Sequence, residues 1–368
     1  MTDLPSAPHP AFHPALHTEA CDLFGIRYPV LQTGMGWVST PELTAATSRA
    51  GGLGILASAT LTLPETDSAI ALTRELTSAP FGVNLRGDAP DLSSRAKLLV
   101  KHGVPVASFA LAPDERVIRE LKDAGLVVVT SVGARRHAEK VAAWGVDAVI
   151  AQGGEGGGHT GSVPTSILLP QVVDAVDIPV LGAGGFADGR GLVAALAYGA
   201  AGIAMGTRFL LTSDSTVPDA VKREYLVRGV NDTVVTSMLD GVPQRVLRTD
   251  FAERLISRGW AYRLLTSVQN ARTFRRMSGT SWTDLVREGL SMKKSHDLSW
   301  LQVLMAANTP MMLRASMVDG RVDLGTLASG QVTGVIDDLP SCEELIQRIM
   351  EQAHATLIRL ENPPQPAD

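Results

Sequence analysis

Short apolar runs recur through the first two hundred residues, each followed by a polar turn and then a longer amphipathic stretch. The runs occupy residues 28–32, 54–56, 81–84, 104–109, 126–132, 146–151, 178–181 and 202–205. They are too short for helices, and they are apolar at consecutive rather than alternate positions. That is the pattern of parallel strands buried on both faces. The stretches between them repeat with a helical period: 63–76, 91–102, a helix starting near Asp114, another running through Trp144, and 192–198. A further helix is capped near Ser39 or Thr40. Eight strands with crossover helices completed by residue 212 predict an α/β protein built as a (β/α)8 TIM barrel.

From residue 213 the alternation stops. Residues 213–300 read as helical, charged and aromatic-bearing. An insertion after strand eight leaves the chain beside the catalytic end of a barrel, so this stretch is expected to be a helical lid or substrate region. Residues 301–361 return to small and apolar side chains and end in an amphipathic helix over 342–360. The expected organisation is a flexible N-terminal tail at 1–22, the barrel at 23–212, the lid at 213–300, a segment returning to the barrel at 301–361 and a loose tail at 362–368.

Composition narrows the class. A chain of 368 residues suits one barrel of about 250 residues plus an addition. The net charge of −5 argues against nucleic acid as a partner. One segment departs from that balance, because residues 241–300 carry eleven basic side chains, Arg275 and Arg276 among them, against five acidic ones. Such an excess either steers a polyanionic substrate or is a solvated helical face. Cys21 and Cys342 lie far apart and match no metal-ligand spacing. No apolar run reaches the roughly 18 residues needed to span a bilayer, and the N-terminus lacks the order of a signal peptide. The expectation is a cytoplasmic protein with no membrane or metal partner, its oligomeric state unfixed and a homodimer one option.

The candidate chemistry sits in two glycine clusters. Residues 151–161 follow the sixth strand and contain six glycines in eleven positions, interspersed with Gln152, Glu155 and His159. Ordering that many glycines is entropically costly and persists where backbone must approach a ligand closely. Histidine suits proton exchange near neutral pH; Glu155 either orients the loop or faces solvent. The second cluster, Gly182 to Gly189, ends the seventh strand, and Gly206-Thr207-Arg208 ends the eighth. Two neighbouring strand ends rich in backbone N–H groups make an anion cradle at the usual phosphate position of such barrels.

Together with Tyr28-Pro29-Val30-Leu31-Gln32, Ala50-Gly51-Gly52-Leu53-Gly54, Phe81-Gly82-Val83-Asn84 and Met205-Gly206-Thr207-Arg208-Phe209, these segments resemble the nitronate monooxygenase (2-nitropropane dioxygenase-like) family of FMN-dependent β/α barrels. That family also includes flavin-dependent enoyl-ACP reductases. The resemblance implies that Met35, Asn84, Gln152 and Gly157 contact the flavin ring or ribityl chain. It implies that Gly184, Gly185, Ala204, Met205, Gly206 and Thr207 hold the phosphate end, and that His159 is the acid–base residue. Gly34-Met35-Gly36-Trp37-Val38 is similar to the enoyl reductase branch and makes Trp37 a substrate-side candidate, beside Arg275 and Arg276. Residues 109–113, 212–221 and 303–310 resemble an actinobacterial group acting on a bicyclic hydroxy-indene-carboxyl-CoA of steroid ring C/D degradation. The implied activity is NADH- or NADPH-dependent reduction of an α,β-unsaturated acyl-CoA; the alternative is oxidation of alkyl nitronates with O2.

Overall fold

The computed structural model describes residues 12–257 and 309–363. In chain order the strands are β1 (Val30–Gln32), β2 (Leu53–Ala57), β3 (Phe81–Leu85), β4 (Val106–Phe109), β5 (Val127–Val132), β6 (Ala148–Gln152), β7 (Gly158–His159), β8 (Val180–Ala183), β9 (Gly202–Met205), β10 (Thr233–Thr236) and β11 (Gln244–Leu247). Parallel pairing runs from β1 to β6, skips β7, continues through β8 and β9, and closes on itself. Closure is made by β1 against β9, with Val30 opposite Ile203 and Gln32 opposite Met205. Each expected apolar run overlaps one of these eight barrel strands, and the predicted (β/α)8 fold is present.

Local sequence explains where the helices begin. Thr62 and Glu65 form a reciprocal cap on the helix Leu63–Leu76: the Thr62 N–H donates to Glu65 Oε2 at 2.7 Å and Thr62 Oγ1 accepts from the Glu65 N–H. Ser341 and Glu344 repeat the device on the helix Cys342–Glu361. Gly189 opens the helix Gly189–Ala197, and a side chain there would overlap the Ile349 carbonyl oxygen and the Ala353 nitrogen. The final helix therefore lies in backbone contact with the helix that follows β8.

The chain forms two compact units. The first comprises residues 1–156, 161–216 and 335–368; the second comprises 157–160 and 217–334. In the first unit, Leu31, Leu53, Ile55, Val106, Val129, Ile150, Leu181 and Ala204 build the barrel interior, and Ala20, Phe24 and Ile26 join them. This corrects the flexible tail expected at 1–22 over its described residues, 12–22. Residues 12–22 include a 3-10 turn, Pro14–Leu16, and most of the helix Glu19–Phe24, whose apolar face is core. Phe12 packs edge-on against Tyr28 and His354, and His13 Nε2 lies 2.9 Å from Glu361 Oε1.

The second unit corrects the wholly helical reading of 213–300. The β-branched run of β10 pairs antiparallel with β11, and β11 pairs antiparallel with β7, giving a three-stranded sheet. Its core gathers Leu239, Val246, Ala252, Leu255 and Met312. Residues 258–300 of the expected lid lie outside the described residues. The returning segment also divides, since 309–334 belong to the second unit and 335 onward to the barrel. Among the described residues no helix is long and apolar enough to cross a membrane.

Candidate active site

The barrel unit gathers most of the proposed cofactor residues at the C-terminal ends of its strands. After β1 the chain turns through residues 33–40, and Ser39 holds that turn. Its Oγ accepts from the Met35 N–H at 2.8 Å and from Gln32 Nε2 at 2.8 Å, and donates to the Thr33 carbonyl at 2.9 Å. Gln32 is fully buried; its Nε2 also donates to the Ile55 carbonyl, while its Oε1 has no partner among the described residues. Trp37 has φ +64°, the one non-glycine with positive φ among the described residues. A bulky residue is rarely held there without surrounding constraint. Asn84, near the end of β3, is buried and donates from Nδ2 to the Ser108 carbonyl at 3.4 Å. The β1 turn runs directly over it, because a side chain at Gly34 would overlap Asn84 Cβ.

Behind β6 the glycine loop is clamped rather than loose. Glu155 accepts from the Thr165 N–H at 2.9 Å and lies 2.8 Å from Thr165 Oγ1, so its carboxylate caps the helix Thr165–Val173. Negative charge at a helix N-terminus is favourable. Of the two readings open for Glu155, the structure supports loop orientation. Thr165 Oγ1 is also 3.0 Å from the Gly184 carbonyl oxygen, which links the loop to the end of β8.

Gly184 and Gly185 have φ +98° and +81°, a backbone that L side chains rarely adopt. Among the described residues neither N–H is donated to a carbonyl or side chain. Ala204 and Met205 are buried on β9. Gly206 precedes the four-residue helix Thr207–Leu210 and faces Met35, whose Sδ would lie 3.3 Å from an added Cβ.

Arg208 stands in the same turn but serves the fold. It is buried, donates from Nη1 to Asp338 Oδ1 at 2.9 Å, and donates from Nη2 to the Leu211 and Asp338 carbonyls. Burial pulls the guanidinium below its usual range while Asp338 pulls the other way. Burial likewise opposes ionisation of Asp338, but hydrogen bonds from Arg348 and Arg208 outweigh it and hold that carboxyl below the usual carboxylate range.

In the second unit, His159 ends the two-residue β7 opposite Gln244, with its side chain 59% exposed. Its Nε2 lies 2.8 Å from Oδ2 of Asp240, a carboxylate only 12% exposed. Asp240 lies 81 residues further along the chain, and sequence reasoning missed it. The Asp240-Gly241 pair, with Gly241 at φ +90°, was the available sign of a hairpin turn. Gly157 belongs to this unit too; a side chain there would press on Ser329 and on the Gly330 nitrogen at 2.6 Å. Arg275 and Arg276 lie outside the described residues. Within the described part of the basic stretch, Arg245 donates to Thr233 Oγ1 at 2.9 Å and Arg248 pairs with Glu253 at 3.0 Å.

A family model described as nitronate monooxygenase matches residues 17–99 and 92–352. A protein of Rhodococcus jostii (strain RHA1) described as (3aS,4S,5R,7aS)-5-hydroxy-7a-methyl-1-oxo-octahydro-1H-indene-4-carboxyl-CoA dehydrogenase is 59% identical over 338 residues, covering 92% of this chain and 96% of its own. A Mycobacterium tuberculosis protein of the same description is 59% identical over 341 residues, with the same coverage. Among solved structures, FabK from Thermotoga maritima superposes with a TM-score of 0.76 at 35% identity, covering 94% of this chain and 98% of its own. A nitroalkane oxidase from Streptomyces ansochromogenes gives 0.71 at 28% identity, covering 92% and 99%.

Proposed function

The chain belongs to the nitronate monooxygenase family, and from that membership we propose that it is an FMN-dependent oxidoreductase acting on a bicyclic hydroxy-indene-carboxyl-CoA or a close acyl-CoA relative. The observation that carries the substrate class is the 59% identity, over 92% of the chain, to two proteins described as dehydrogenases of such a thioester. Their description favours removal of two hydrogens from the substrate. The similarity to enoyl reductases favours the reverse, with NADH or NADPH as reductant.

The donors of the barrel unit suit FMN. Two consecutive glycines present N–H groups, undonated among the described residues, where a phosphate would be held, next to the Gly206-Thr207 turn. Asn84 and Gln152, at the ends of β3 and β6, offer side-chain amides to a heterocycle, and the backbone at Met35 and Gly157 would complete the contacts. When bound, FMN supplies the exchange of an electron pair. His159 would take or return the proton at the carbon beside the thioester, whose carbonyl makes that proton acidic. Trp37, on the β1 turn, would wall the substrate side, and Arg275 and Arg276 would meet the phosphates of CoA.

The test is anaerobic mixing of the purified yellow protein with a bicyclic hydroxy-octahydro-indene-carboxyl-CoA, with NADH or NADPH, or with an alkyl nitronate. Loss of the visible flavin band on adding the saturated thioester supports oxidation of the acyl group. Loss with a pyridine nucleotide, followed by recovery on adding the unsaturated thioester, supports reduction. Bleaching by the nitronate alone would replace this reading with nitronate oxidation.

A further inference from the structure

His159 is held by more than its own loop. On β7 it lies opposite Gln244 of β11, Gly158 lies opposite Arg245, and the Thr160 N–H donates to the Pro243 carbonyl at 3.1 Å. The backbone is thereby pinned on both sides of the imidazole. From the turn between β10 and β11, Asp240 meets the ring, with its Oδ2 2.8 Å from His159 Nε2. The same oxygen accepts from Gln244 Nε2, and Oδ1 accepts from the Val242 N–H at 3.1 Å. An ionised carboxylate can only accept. Nε2 must therefore carry the hydrogen, and in the neutral ring Nδ1 is the acceptor.

We propose that Asp240 is a positioning residue for His159: it fixes the Nε2–H tautomer and the ring orientation, and so assigns the proton-accepting role to Nδ1. Gln244 fixes Asp240 in turn, with one side chain engaging the carboxylate from the strand that pairs with His159. The arrangement has the logic of a base oriented by a partly buried carboxylate, here supplied across a β-sheet rather than along the sequence. It rests on the reading that His159 handles the proton.

Asp240→Asn tests it with little change of shape. The Asn Oδ1 can still accept from the Val242 N–H, which leaves the amide NH2 where Oδ2 stood. A donor would then face His159 Nε2, and the ring would have to shift its hydrogen to Nδ1 to accept it. Nitrogen–proton correlation spectra of the 15N-histidine-labelled holoprotein, with His159 assigned by its absence in His159→Gln, read the tautomer directly. The wild type should show Nε2–H and Asp240→Asn should show Nδ1–H. The asparagine variant should lose about 10- to 100-fold in kcat with little change in KM. Asp240→Glu, which keeps an acceptor, should recover part of that loss. His159→Gln/Asp240→Asn should be no slower than His159→Gln alone, because Asp240 acts only through the ring. Nδ1–H in the wild type, or Asp240→Asn turning over like wild type beside a crippled His159→Gln, would overturn the proposal. Normal turnover by His159→Gln would instead sink the role given to His159, while the spectra would still report whether Asp240 sets its tautomer.

Discussion

Gly184 and Gly185 are adjacent, share a backbone conformation and differ in what surrounds them, so alanine at each should cost different amounts. Among the described residues an added Cβ at Gly185 meets only the Glu155 side chain, its Cβ at 3.7 Å and its Cγ at 3.9 Å, which are ordinary contacts. The cost there is conformational: φ +81° imposed on an L-residue, about 1–3 kcal/mol. Gly184 has φ +98° and the same penalty, but its Cβ would also stand 3.0 Å from Thr165 Oγ1 and 3.1 Å from the Gly153 carbonyl oxygen. Thr165 cannot yield freely, because it is tied to Glu155. Weakening that link adds about 1–3 kcal/mol, the range for a hydrogen bond to a charged group that has to move. Gly184→Ala should therefore be the less stable variant by about 1–3 kcal/mol, or a few degrees in melting temperature for a unit of this size. Both should release flavin more readily than wild type. Thermal melts of the two purified variants, with flavin content read by absorbance after denaturation, measure each part. Equal melting temperatures would refute the Thr165 clamp, and full flavin occupancy in both variants would refute the cradle.

His159→Ala should keep its flavin and slow turnover by about 10²–10⁴-fold; activity within a few-fold of wild type would make the residue structural. Asp338→Asn leaves the buried Arg208 without its carboxylate and should cost about 1–3 kcal/mol at neutral pH, less than a fully buried pair because Asp338 is partly exposed. A depressed carboxyl pKa gives stability that is present above the ordinary value of about 4 and is lost as pH falls through the folded value. The gap between variant and wild type in urea melts should thus narrow in acid, and a gap unchanged below about pH 4 would contradict it. Replacing Arg275 and Arg276 together by Ala should raise KM for an acyl-CoA and reduce its dependence on salt, leaving a small uncharged substrate little affected. Equal losses on both substrates would indicate a folding defect.

The barrel was readable because its strands are local objects. Val127–Val132 and Ala148–Gln152 are apolar runs bounded by turns, and the helix Leu63–Leu76 carries its own cap in Thr62 and Glu65. The positive φ of Gly184 and Gly185 is legible for the same reason, since glycine is the residue that such a backbone favours. What escaped was set by partners distant in sequence. Asp240 gains its meaning only once β11 pairs with β7. Arg208, part of a glycine turn, is claimed by Asp338, 130 residues away. Ala20 falls inside the tail expected at 1–22 because a helix of six residues offers too little periodicity to show which face is buried. The hairpin of β10 and β11 was lost inside a charged segment whose average character is helical.

The contact between Gly189 and the final helix constrains how the molecule is made. Strands β1 to β9 emerge from the ribosome before residue 216, and in principle could close their hydrogen-bonded ring at once. The outer wall beside β8 stays bare until the helix Cys342–Glu361 appears, after all of residues 217–334 have been synthesised. At the usual elongation speed of about 5–20 residues per second, that gap lasts roughly 10 seconds. During it, buried side chains such as Ile346, Ile349 and Ala353 have not yet covered their site. A nascent chain stalled before residue 335 should therefore expose the helix after β8 to proteases or chaperones, and one carried on a C-terminal extension long enough to bring Cys342–Glu361 out of the exit tunnel should not.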